Sequence, residues 1–150
     1  MSSASPTHQS MHGYYLEDLS VGMSAVFGKT VTEADIMAFA GVSGDTNPIH
    51  LHEDFARGTM FKTRIAHGML SAGFISTILG TKLPGPGCIY VSQDLKFKAP
   101  VKIGDCVTAH ATITEIVAEK RRVRLKTQCL IGDTVVIDGE AVALVPNRPK

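Results

Sequence analysis

Ile65-Ala-His-Gly-Met-Leu-Ser-Ala-Gly-Phe-Ile-Ser-Thr-Ile-Leu-Gly80 decides how this chain folds. At helical spacing, Ile65, Met69, Ala72 and Leu79 fall roughly on one side, and Leu70, Phe74 and Ile78 on another. Gly68, Ser71, Ala72, Gly73 and Ser76 keep the rod slim, and no Asp, Glu, Lys or Arg interrupts it. A helix that is apolar nearly all round is a buried one, so something has to wrap it. Downstream, Pro84-Gly85-Pro86-Gly87 breaks the chain, and the apolar period changes from 3.6 to 2. Ile89, Val91, Leu95 and Phe97 alternate with Tyr90, Ser92, Asp94 and Lys96. Val107, Ala109, Ala111 and Ile113 alternate with Thr108, His110 and Thr112, and Val123, Leu125, Thr127 and Cys129 with Arg124, Lys126 and Gln128. Val135, Ile137, Gly139, Ala141 and Ala143 form the last such row. Turns at 102–105, 118–120 and 132–133 join these amphipathic strands into an antiparallel sheet with one apolar face. The layer rule then gives an α+β domain, an antiparallel sheet wrapped around a long central helix.

Upstream, Met23 to Val31 reads as a further strand. Thr32 reads as the N-cap of a helix over Glu33 to Ala40, with Glu33 and Asp35 in its first turn. Gly44 to Met60 is a loop dense in polar groups yet anchored by Ile49, Leu51 and Phe55. Pro48 biases Asn47 away from helical angles, and Glu53 to Arg57 has room for one helical turn. Residues 1–12 are small and polar and read as a disordered tail. A single domain spans 13–146, and 147–150 form a C-terminal tail.

The 150 residues are 44% hydrophobic and 19% charged, which excludes disorder as the main state. Fifteen Lys+Arg against fourteen Asp+Glu give a formal charge of +1, so no global field favours nucleic acid or an anionic membrane. No apolar run reaches the ~18 residues of a membrane helix. Cys88, Cys106 and Cys129 are widely spaced and odd in number, without a C-x-x-C pair, which points to a reducing, cytoplasmic setting.

Chemistry-bearing residues concentrate at Asp45, Asn47, His50 and His52, with His67 and Gly68 at the start of the buried helix. Turn chemistry accounts for part of this: Asp45 suits an Asx turn and Asn47-Pro48 is a common turn pair. His50 and His52 also read as metal ligands, but no further His or Cys cluster completes a shell, and no metal is expected. Lys96, Lys98 and Lys102 lie along one strand and its end, where they either attract phosphate or form a solvated edge. Arg121, Arg122 and Arg124 read as a polar strand face.

Gly-Asp-Thr-Asn-Pro-Ile-His-Leu (Gly44 to Leu51), followed by Ile-Ala-His-Gly-Met-Leu (Ile65 to Leu70), resembles the MaoC-like, R-specific enoyl-CoA hydratase family. The likeness continues through Leu83 to Gly87, Leu95 to Val101 and Ile103 to Asp105, and covers roughly Met23 to Val145. The resemblance implies the hotdog fold and hydration of trans-2-enoyl-CoA to (R)-3-hydroxyacyl-CoA. It implies that Asp45 and His50 hold and activate one water, with the Gly68 N–H as oxyanion donor and Asn47 and His67 in support. Met69, Ala72, Ser76 and Leu79 are then candidates to line the acyl slot, and Lys96 and Lys98 to meet the phosphates of coenzyme A. No cofactor is expected beyond the coenzyme A carried by the substrate. The resemblance also implies a homodimer, and an open sheet whose edges need covering agrees with that. Rival readings on the same fold are an acyl-CoA thioesterase, a 3-hydroxyacyl-carrier-protein dehydratase and a non-enzymatic acyl-thioester binder.

Overall fold

The structure is a computed structural model and describes residues 4–150. In chain order the elements are α1 (Pro6–Met11), β1 (Ser24–Thr30), α2 (Glu33–Ser43), α3 (Pro48–Leu51), α4 (Glu53–Arg57), α5 (Gly68–Thr81), β2 (Ile89–Gln93), β3 (Lys96–Phe97), β4 (Cys106–Val117), β5 (Arg122–Ile131) and β6 (Thr134–Leu144). The sheet is antiparallel with strand order β1-β4-β5-β6-β2, and β3 pairs with β6 beside β2. Its concave face carries Val107, Ala109, Ala111, Val123, Leu125, Ala141 and Ala143, all fully buried. Small residues on β4 and β6 let the sheet close around α5, whose Ile75, Ile78 and Leu79 have almost no exposure. Phe27 of β1 meets Phe74 of α5 at 5.7 Å between ring centres. This is the wrapped-helix architecture expected from the sequence.

Several boundaries differ from the sequence reading. Helix α5 begins at Gly68 rather than Ile65. The residues before it bond outside the helix: the Ala66 N–H donates to the Val101 carbonyl at 2.7 Å, and the Ile65 N–H to that of Ile49 at 3.3 Å. Pro48 begins a one-turn helix instead of prolonging a loop, because proline suits the first helical position while Asn47 before it stays non-helical. The expected single strand over 89–97 is two strands. Asp94 interrupts it by accepting the Glu140 N–H on its own side chain at 3.1 Å. A register shift between Tyr90 and Ser92 also disrupts the alternation, so Ile89, Val91 and Phe97 are exposed rather than core. Val136 is buried together with Ile137, where β6 shifts register against β5.

Within the N-terminal tail, Pro6–Met11 is helical with Ser5 as N-cap and buries nothing against the domain; residues 1–3 lie outside the described ones. At the other end, Arg148 sits over the Tyr15 ring and pairs with Asp18, while its backbone N–H donates to Glu17 at 2.8 Å.

The three thiols are unpaired and differ sharply in environment. Cys129 is fully buried, and burial pushes its thiol up to about 12; Cys88 is partly buried and also raised, whereas Cys106 is exposed. Since the thiolate is the reactive form, an aromatic disulfide reagent should titrate Cys106 first and Cys129 only on unfolding. Equal rates for all three thiols in the native protein would contradict this packing.

Candidate active site

The site grows from the end of α2. Gly44 closes that helix in the left-handed region (φ 78°), which favours glycine, and turns the chain into Asp45. The Asp45 N–H donates to Ser43 Oγ at 3.1 Å, and Asp45 Oδ1 accepts the Asn47 N–H at 3.2 Å. Asn47 Oδ1 in turn caps α3 by accepting the Ile49 N–H at 3.0 Å. Asp45, a candidate site residue, is therefore an Asx-turn former, and its turn uses only one of its two carboxylate oxygens.

The other oxygen faces His50. Asp45 Oδ2 and His50 Nε2 are 4.0 Å apart, with the carboxylate half-exposed and the imidazole nearly buried. His50 Nδ1 lies 2.8 Å from the Ile65 carbonyl, an acceptor only, so Nδ1 carries the proton and Nε2 presents its lone pair. The 4.0 Å gap is too long for a direct bond. A water about 2.8 Å from each atom would bridge them with an angle near ~90°, comfortable for a molecule that donates to both.

His67 underlies this pair. It is 2% exposed, and its ring stacks on His50 at 3.8 Å and 27°. Phe39 of α2 packs 4.8 Å from the His67 ring. His67 Nε2 donates to the Asp45 carbonyl at 2.9 Å, while Nδ1 is buried without a partner. Asp45, His50 and His67 offer ligand atoms within 4.8 Å of one another. Each histidine has one ring nitrogen engaged by a carbonyl, which leaves His50 Nε2 and His67 Nδ1 as the ring nitrogens beside Asp45. His52 is elsewhere, its Nδ1 accepting the Phe55 N–H at the start of α4.

One turn away, Gly68 opens α5, where the first N–H groups of a helix have no acceptor within it. The helix dipole adds positive potential at that end. A cavity of about 540 Å³ adjoins Gly68, walled by Phe61, Met69, Ser71, Phe97, Lys98 and Ile137 among others. Of the candidate acyl-lining residues only Met69 faces it; Ala72 and Leu79 are in the core, and Ser76 is exposed. Lys98 is at the cavity wall, while Lys96 is exposed on β3 outside it. Arg124 pairs with Glu140 and Glu115 on the outer face of the sheet, as its strand position suggested.

Three residues that bear on the site escape a reading of the sequence. Phe97, assigned there to the core, lies against Gly68. Ser71 points a buried, unpartnered hydroxyl from a residue of the cavity wall. Arg64 reaches the His50 backbone. Phe97 and Arg64 come close to the site only through tertiary folding. Ser71, one turn after Gly68, was within reach of helical spacing.

A helix wrapped by an antiparallel sheet, with an Asp–His pair beside the helix start, is a hotdog fold carrying a candidate acid–base site. The family model for the MaoC like domain matches residues 20–139, and the chain belongs to that family. It is 61% identical to an (R)-specific enoyl-CoA hydratase of Rhodospirillum rubrum over 90% of this chain and 94% of that one. It is 52% identical to a 3-hydroxybutyryl-CoA dehydratase of Methylorubrum extorquens, over 89% and 85% of the two chains. An unliganded R-hydratase structure from Pseudomonas aeruginosa superimposes with a TM-score of 0.84 at 42% identity, covering 91% of this chain and 88% of that one.

Proposed function

We propose that this protein is a hydro-lyase that adds water to trans-2-enoyl-CoA to give (R)-3-hydroxyacyl-CoA, and runs the same step backward as a dehydration. The observation that carries the residue-level reading is the 4.0 Å pairing of Asp45 Oδ2 with His50 Nε2, each with its other heteroatom already engaged. Both atoms face one water. As its oxygen attacks C3, one of the two groups takes its proton, and C2 receives a proton from the pair. The Gly68 N–H stabilises the negative charge that develops on the thioester oxygen. His67 and Asn47 fix the loop, His67 through the Asp45 carbonyl and Asn47 through the cap of α3. The step is redox-neutral and uses no cofactor beyond the coenzyme A of the substrate. Lys98, at the cavity wall, is the lysine best placed to meet the carrier's phosphates.

The working form in this reading is a homodimer. Strand β2 is a sheet edge with Ile89, Tyr90 and Val91 exposed, and on α5 Gly68, Met69, Gly73, Ser76 and Gly80 form an exposed stripe of mostly small residues. A second copy added along β2 would continue the sheet and roof that stripe, which would bring Ser76 into an enclosed acyl chamber. Among the described residues no helix is long and apolar enough to cross a membrane. Three unpaired thiols accord with the cytoplasm.

Crotonyl-CoA tests the reading. The absorbance of the conjugated thioester should fall without release of free thiol, and the product should be the (R)-3-hydroxy thioester. Free thiol appearing in step with the absorbance loss would replace the hydratase by a thioesterase.

A further inference from the structure

We propose that Arg64 and Glu33 form a strap that sets the position of His50 relative to Asp45. The inference rests on the assignment of those two residues as the water-holding pair. Helix α3 is a single turn of four residues, too short to satisfy its own carbonyls. The His50 carbonyl is taken instead by Arg64 Nε at 2.7 Å. The two remaining arms of the same guanidinium, Nη1 and Nη2, bind both oxygens of Glu33, at 3.0 and 2.8 Å. The Arg64 side chain is only 15% exposed, while the Glu33 side chain is half-exposed.

The placement of Glu33 gives the strap its meaning. Glu33 is the first residue of α2, and the far end of α2 delivers Asp45 through Gly44. One rigid helix thus carries Asp45 directly and holds the backbone of His50 through Arg64. The neighbouring backbone completes the clamp, since the Ile65 N–H donates to the Ile49 carbonyl and the Ile65 carbonyl accepts from His50 Nδ1. With Glu33 half-exposed, the ion pair contributes little to stability. Its planar, two-pronged geometry contributes direction, which a lysine cannot reproduce while serving both partners. Arg64 and Glu33 touch no reacting atom in this arrangement; they are positioning residues.

The test combines kinetics with the imidazole signals of His50 on the full chain. Arg64→Met should lower kcat about ten- to a hundredfold, because reacting groups displaced by a fraction of an ångström lose orientation, with KM changed less than about twofold. Arg64→Lys should restore only part of the loss. Glu33→Gln, a surface change that leaves folding intact, should give a smaller loss alone and none in the Arg64→Met background, since it acts through the guanidinium. In nitrogen-15 spectra the His50 Nδ1–H signal should shift and exchange faster in Arg64→Met. A kcat within about twofold of wild type, or an unchanged His50 signal, overturns the strap. The spectra decide this even if the wild-type protein fails to turn over enoyl thioesters, an outcome that would count against the hydratase reading instead.

Discussion

Asp45→Asn is expected to keep the fold and lose about 10²–10⁴ in kcat on crotonyl-CoA. The fold survives because the Asx turn needs only an acceptor at Oδ1, and asparagine retains one for the Asn47 N–H. Chemistry fails because the atom replacing Oδ2, 4.0 Å from His50 Nε2, becomes an amide nitrogen that cannot accept a proton. His50→Ala should fail to a comparable degree. The double variant should be little worse than either single one, since both groups act on one water and their effects do not add. Circular dichroism and melting of Asp45→Asn should match wild type. If that variant kept more than about a tenth of the activity, the carboxylate would be a turn residue and nothing more.

The two readings of Asp45, turn former and proposed catalytic group, show what a sequence can and cannot deliver here. Spacing alone supports the turn, and the structure contains it; the catalytic role is compatible with the turn because the two use different oxygens. The core was legible for a simple reason. On strands β4 and β5 the residues assigned inward by the period of 2 are the buried ones, whereas α5 buries Leu70, Ala72, Phe74, Ile78 and Leu79 but leaves Met69 exposed, so the helix is wrapped on part of its circumference and not all round. Periodicity failed where other forces set the backbone. Ile65 and Ala66 continue an apolar helical pattern, yet their N–H groups bond to Ile49 and Val101 and they lie outside the helix. Phe97 alternates correctly with Lys96, but β3 is two residues long and its ring lies against Gly68 instead of in the core. The Arg64–Glu33 pair spans 31 residues, a separation over which no local rule operates.

Gly68→Pro should remove the other half of the catalysis, about 10²–10³ in kcat, by deleting one hydrogen-bond donor. Proline is the natural substitution to make. Gly68 is the first residue of α5, a position where proline preserves a helix. His67 before it already has φ −58° and ψ 134°, the extended geometry that a following proline requires. The complication is steric. A Cβ at position 68 would lie 2.5 Å from a ring carbon of Phe97, so that ring must move whichever residue is introduced. Phe97 is half-exposed, which gives it somewhere to go. Gly68→Ala is therefore the necessary companion: it imposes the same Cβ on Phe97 and keeps the N–H. The loss in Gly68→Ala measures the close approach that glycine permits, and the further loss from alanine to proline measures the donor. A proline variant no slower than the alanine variant would remove the Gly68 N–H from the mechanism. The thioester oxygen would then need another partner, and the buried, unpartnered hydroxyl of Ser71 in the cavity wall is the first group to replace.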